Sequence, residues 1–214
     1  MPLPMELWLI HPEEQAIDAF AQRFAGLPSV RTMQSTFEEL APHDCFVTAA
    51  NCYGIMNAGI DAAVVRKHGS ELATRIQYRI LDEFLGEQPV GTAIIEPTGS
   101  TAYPYVCHAP TMRTPGSIGN TDNIYRATFA ALTAIYRYNT QHGHPIETVA
   151  LPAMGCGFGG VDYSESARQM AAAYKHYLDP PHRLDWNTVI EREKRITYDG
   201  DQKVVGRSNQ KRSE

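Results

Sequence analysis

The stretch Leu151-Pro152-Ala153-Met154-Gly155-Cys156-Gly157-Phe158-Gly159-Gly160-Val161 decides how this chain is read. An apolar run over residues 148–153 enters a segment with four glycines in six residues. An amphipathic pattern follows, with Ala167, Met170, Ala171, Tyr174 and Leu178 on one helical face. Strand, glycine loop and helix, in that order, can cradle an anion. Glycine lets the backbone approach a ligand closely, and the N–H groups of such a loop and of the helix start are free to donate. A tight turn that needs glycine only for packing has the same pattern, so this stretch alone leaves both readings open.

A second segment has the same design. Asp44-Cys45-Phe46-Val47-Thr48-Ala49-Ala50-Asn51 reads as a buried strand ending in small residues. The turn-rich Cys52-Tyr53-Gly54-Ile55-Met56-Asn57-Ala58-Gly59 follows, and a helical pattern resumes over residues 60–67. In an open α/β sheet, ligands bind beyond the carboxyl ends of the strands. Two such loops are therefore expected to face one ligand from opposite sides.

These residues resemble the macrodomains, a family of ADP-ribose-binding modules. Val47-Thr48-Ala49-Ala50-Asn51 and Asn57-Ala58-Gly59-Ile60-Asp61 match the two halves of the family's first signature, and residues 155–161 look like its second phosphate loop. The likeness covers about residues 5–178. It implies a three-layer α/β/α fold with a mixed central sheet. It also implies that Asn51 and Asp61 are the catalytic pair of the family's hydrolytic branch. By the same likeness the ligand is lined by Ala49, Ala50, Asn57, Ala58, Gly59 and Ile60 from the first loop. The second loop would contribute Gly155, Cys156, Gly157, Phe158, Gly159, Gly160 and Val161. The implied partner is ADP-ribose or an ADP-ribosylated substrate, bound for turnover or bound only. The sequence departs from the family in four places. Thr48 stands at the first signature Asn, the glycine run is thinned to Asn57-Ala58-Gly59, and Val65 replaces a His. Residues 34–39, Gln-Ser-Thr-Phe-Glu-Glu, lack the Asp that commonly holds the adenine amino group.

Each side chain also has a plainer reading. Asn51 offers a donor and an acceptor for the distal ribose, or caps the next helix. Asp61 activates a water as general base, or complements a helix dipole. Phe158 covers the ribose, or packs in the core. Arg113, in a long polar loop over residues 111–121, reaches a phosphate or makes a surface ion pair. His142 and His144 have no third ligand in view and read as exposed loop. No metal site and no cofactor are expected.

At 214 residues, 43% hydrophobic and 20% charged, the chain has ordinary globular composition and the length for one well-buried core. Its net charge of −5 supplies no global basic field, which argues against a nucleic-acid partner. Cys45, Cys52, Cys107 and Cys156 lack metal spacing and suit a reducing cytoplasm, where buried free thiols are the default. No apolar run is long enough to span a bilayer, and no signal-peptide pattern opens the chain. The expected location is cytoplasmic, with no membrane partner.

Strand patterns over residues 5–10, 29–34, 45–50, 91–96, 103–108 and 148–153 alternate with helical patterns over 13–25, 60–67, 71–85, 123–138 and 164–178. A turn at Pro97-Thr98-Gly99-Ser100 predicts an antiparallel hairpin. In the helix over 71–85, Leu72, Ile76, Ile80, Leu81 and Phe84 are expected to face inward. Residues 1–178 read as the macrodomain-like unit. Residues 179–214 read as an extension, partly docked through Trp186, Val189 and Ile190 and then loose from about Tyr198, with a basic run at residues 203–212.

Overall fold

The computed structural model describes residues 5–197. Its strands are β1 (Glu6–His11), β2 (Val30–Gln34), β3 (Cys45–Asn51), β4 (Ile94–Pro97), β5 (Tyr105–Met112) and β6 (Thr148–Pro152). The helices are α1 (Glu14–Arg23), α2 (Gly59–His68), α3 (Ser70–Phe84), α4 (Asn123–His142), α5 (Tyr163–Leu178) and α6 (Trp186–Thr197). The strands form one sheet in the order β2-β1-β6-β3-β5-β4. All neighbours run parallel except β4, which pairs antiparallel with β5 as the predicted hairpin. No helix among the described residues is long and apolar enough to cross a membrane.

Strand alternation sorts the apolar residues into two layers. Leu7 and Leu9, Cys45 and Val47, Cys107 and Ala109, and Val149 and Leu151 face α1, α4 and α5. Trp8 and Ile10, Phe46, Val106 and Ala150 face α2 and α3. Parallel strands buried on both faces read as near-continuous apolar runs, which is why the strands were legible.

The structure departs from expectation at several places. Helix α4 runs on past 138 to His142, which closes the helix rather than lying in a loop. Strand β5 runs to Met112, through Pro110, so the loop begins later than predicted. The proline is tolerated because the β3–β5 register slips there: Ala50 pairs with Pro110, but Asn51 pairs with Met112. Leu81 is exposed, because Leu72, Ile76 and Ile80 already fill the buried stripe of α3 and Leu81 lies a third of a turn around. In α6, Trp186 and Val189 are also exposed. Docking of α6 falls instead to Ile196, which packs with Tyr125, Ala172 and Ala173, and to the Arg168 guanidinium, which donates to the Ile196 carbonyl at 3.0 Å. The expected loose segment from Tyr198 and the basic run at 203–212 lie outside the described residues.

Asp44 ties the start of β3 to the start of β6. Its Oδ2 accepts from the Glu147 and Thr148 N–H groups, each at 2.8 Å, and from Thr148 Oγ1 at 2.9 Å. Asp44→Ala orphans these donors and should lower unfolding stability by about 1–3 kcal/mol. Chemical denaturation measures this; an unchanged midpoint and slope would contradict it.

Candidate functional site

A cleft of about 400 Å³ opens beyond the carboxyl ends of β1, β6, β3 and β5. From β1 the chain turns outward to β2, whereas β3 enters on the far side of β6. That reversal leaves room at the strand ends, where α/β folds bind ligands.

The first loop lines one wall with Ala49, Ala50, Asn51, Asn57, Ala58, Gly59, Ile60 and Asp61. Ala58 is the N-cap of α2 and carries no capping oxygen, so among the described residues no capping side chain accepts the first-turn N–H groups. The second loop lines the opposite wall with Gly155, Cys156, Gly157, Phe158 and Gly159. Gly160 and Val161 fall outside the lining, and Val161 packs on the core.

The second loop folds back on itself. Gly155 has φ +73°, and a Cβ there would lie 2.9 Å from Ile118 and Ile124 carbons. A Cβ on Gly159 would lie 2.3 Å from the Gly155 carbonyl oxygen. Only glycine fits either place. The Val161 N–H donates to Gly155 O at 3.3 Å, the Gly160 N–H to Gly157 O at 3.1 Å, and the Ile118 N–H pins Gly159 O at 3.0 Å. The N–H groups of Gly157, Phe158 and Gly159 have no protein acceptor among the described residues. Three successive unspent donors on a cleft wall, opposite a helix N-terminus, suit an anion.

Phe158 is 59% exposed, which removes the core-packing reading. A Cβ on Gly59 would meet its ring at 3.8 Å, so the ring leans from the second loop toward the start of α2. Asn51 caps no helix. Its Oδ1 accepts from the Tyr53 and Ile55 N–H groups at 3.1 and 3.3 Å, and its Nδ2 donates to Ile55 O at 2.8 Å. The amide thus shapes its own loop and keeps one Nδ2 hydrogen unspent.

Asp61, on the inner face of α2, is 6% exposed. Burial raises its carboxyl to about 7, with the Thr48 hydroxyl opposing the rise. Cys156, also in the lining, is raised by burial to about 11 and stays a thiol, and the Cys52 thiol is raised as well. Arg113 spends its guanidinium on Glu87 in two bonds of 2.9 Å, the surface ion pair. His142 stacks on Tyr138 and reaches its carbonyl at 2.9 Å.

The cleft is also lined by Ser35 and Phe37, from the segment 34–39 that the resemblance set against adenine, and by His11, Glu13 and Tyr163, which the sequence did not flag. His11 meets Tyr163 edge-on with ring centroids 4.8 Å apart, and its Nδ1 accepts the Glu13 N–H at 3.1 Å. The available signal was the junction Ile10-His11-Pro12-Glu13, a third place where a strand runs into a helix.

The macro domain family matches residues 47–170, from within β3 to within α5. The chain belongs to this family. An uncharacterized protein of Aeropyrum pernix is 37% identical to it over 130 residues, 61% of this chain and 62% of that protein. The match thus spans less than two thirds of that relative. Among solved structures, the macrodomain of Mycobacterium tuberculosis DarG superposes with a TM-score of 0.55 at 22% identity, over 66% of this macro domain chain and 88% of the other. A mutant Oceanobacillus iheyensis macrodomain, solved with ADPR, gives 0.54 at 21% identity over 64% and 72%. These likenesses establish a common fold.

Because Asp61 holds its proton more strongly folded than unfolded, its ionisation costs stability. The contribution is absent below the unfolded carboxyl range near pH 4 and grows as pH rises toward 7. Buried His108 and His176, lowered to about 3 and about 4, act with the opposite sign, so the comparison must be made against a variant. Asp61→Asn has the same shape without the charge. It should gain on the order of 2–4 kcal/mol over wild type between pH 4 and pH 8. Parallel stability curves for the two proteins would refute the raised carboxyl.

Proposed function

We propose that this macro domain binds ADP-ribose or an ADP-ribose conjugate in the cleft and hydrolyses ADP-ribosyl or O-acyl-ADP-ribose bonds. The reading is carried by the pair of unspent donor sets on opposite walls, the α2 start and Gly157 to Gly159. The diphosphate lies between them. Phe158 covers the distal ribose, and the free Nδ2 hydrogen of Asn51 donates to a ribose hydroxyl. Glu13, besides Asp61 the one carboxylate among the described lining residues, accepts the adenine amino hydrogen that residues 34–39 have no Asp to hold. The neighbour solved with ADPR supports the choice of ligand.

In turnover, Asp61 as carboxylate takes a proton from a water whose oxygen attacks the anomeric carbon, or the acyl carbon of an ester. The bond to the leaving oxygen breaks, and that oxygen departs as carboxylate or takes a proton. Since the carboxyl loses its proton near pH 7, the rate should rise with pH through that range. A binding-only module is the second reading. The observation favouring it is the depth of Asp61, which keeps much of the carboxyl neutral at and below pH 7.

Gly157 tests the phosphate position without disturbing the fold, because a Cβ there meets nothing within 4 Å. Gly157→Glu places a like charge against the diphosphate. Calorimetry with ADP-ribose should lose its signal while thermal unfolding stays cooperative. Full affinity in the folded variant would overturn the placement. Asp61→Ala should slow release of ADP-ribose from a mono-ADP-ribosylated protein by about 10²–10⁴-fold with binding retained. Wild-type protein that binds ADP-ribose and releases none from any conjugate leaves the binding module.

A further inference from the structure

Beneath the cleft, between α2 and the sheet, three buried polar atoms make no hydrogen bond of normal geometry among the described residues: Thr48 Oγ1, Asp61 Oδ1 and His108 Nε2. All three side chains belong to one seam. Thr48 and His108 are paired positions of the parallel strands β3 and β5, so they are neighbours on the same face. That face looks toward α2, because Phe46 and Val106, two residues earlier on each strand, pack against α2 and α3. Asp61 comes down from α2 onto Thr48, whose hydroxyl acts on its carboxyl.

The state of His108 follows from its partner. Gln88 is fully buried, and its Nε2 donates to the His108 carbonyl at 3.4 Å. That turns Gln88 Oε1 toward His108 Nδ1, at 2.7 Å. A carbonyl oxygen only accepts, so Nδ1 carries the hydrogen. Burial keeps the imidazole neutral, which leaves Nε2 a bare acceptor. The seam therefore holds two acceptors, His108 Nε2 and Asp61 Oδ1, and one hydroxyl that can donate once. Leaving such groups unmet is costly. One water satisfies all three: it donates to Asp61 and to His108 and accepts from Thr48, three bonds being the usual number for a buried water.

We propose that Thr48 and His108 are positioning residues for Asp61, holding a buried water that donates to its carboxylate from below while the other oxygen serves the cleft. The inference rests on the reading of Asp61 as the reacting carboxylate. His108, set in place by Gln88, supplies the acceptor that fixes the water. Gln88 in turn donates its N–H to the Cys52 carbonyl at 2.8 Å, so the seam is tied to the first ligand loop. The other titratable groups sharing the cleft are His11 and Glu13 after β1, Cys156 in the glycine loop and Tyr163 at the start of α5. These sit on the ligand side, whereas the water donates from the sheet side.

The test is the titration of the Asp61 side-chain carboxyl, followed by ¹³C NMR in protein free of nucleotide. Its outcome is thus separate from whether ADP-ribose binds, which calorimetry decides. Removing the water's donation should make the carboxylate harder to form. Thr48→Val and His108→Leu should each raise the midpoint by about one pH unit, a hydrogen bond to a charged group having roughly that strength. The double variant should shift no further than either single one, because both lose the same water. Thr48→Ser, which keeps the hydroxyl, should titrate as wild type. A wild-type midpoint in folded His108→Leu or in Thr48→Val overturns the proposal, and so do additive shifts. Should His108→Leu fail to fold, His108→Phe, which keeps a ring without the acceptor nitrogen, takes its place, and a wild-type midpoint there overturns the proposal.

Discussion

The cleft depends on a backbone contact inside one loop. Gly159 lies so close to the Gly155 carbonyl that no side chain can stand between them. This closure turns the segment after β6 back on itself, and the Ile118 N–H locks it from outside. It also leaves three consecutive N–H groups without acceptors among the described residues, where an extended ladder or a helix would have used them. Backbone donors do not change with side-chain identity. A chain with few first-loop glycines therefore still presents a set of donors suited to an anion in the second loop.

The opposite wall works by omission in another way. Ala58 provides no cap for α2, so the helix start keeps its positive end toward the cleft. Asp61 sits within the first turn, and its position is a compromise. It lines the cleft, yet α2 must lie flat on the sheet to bury Ala63 and Val64. The carboxyl is consequently desolvated, and Thr48 and His108 are polar side chains on the strand face that α2 covers. The stability given up there is local, and the large apolar layer on the α1, α4 and α5 side is untouched by it.

Much of this was legible in the sequence because strand alternation and glycine clustering are local patterns. The three layers, the hairpin before β5 and the two facing loops needed only short windows. So did the glycine loop at residues 155 to 159, whereas Asn51 and Asp61 stood out only through the resemblance to the macrodomain signature. What escaped depends on register or on distant partners. The pairing of Thr48 with His108 exists only once β3 lies beside β5. The far end of the cleft joins His11 and Glu13 to Tyr163 across most of the chain. The strand pattern stopped at 108, and the register slip beside Asn51 that accommodates Pro110 shows only once β3 and β5 are paired. The periodicity of α6 pointed to Trp186, but the helix docks by its other end, through Ile196.

The central claim is that backbone amides on both walls hold a diphosphate. A ¹⁵N-resolved NMR titration with ADP-ribose reads those amides directly. The largest perturbations should fall on Gly157, Phe158 and Gly159 and on the first turn of α2, from Gly59 to Asp61, and should saturate together with a single affinity. Perturbations confined to other surfaces, or none at millimolar ADP-ribose, would contradict the account.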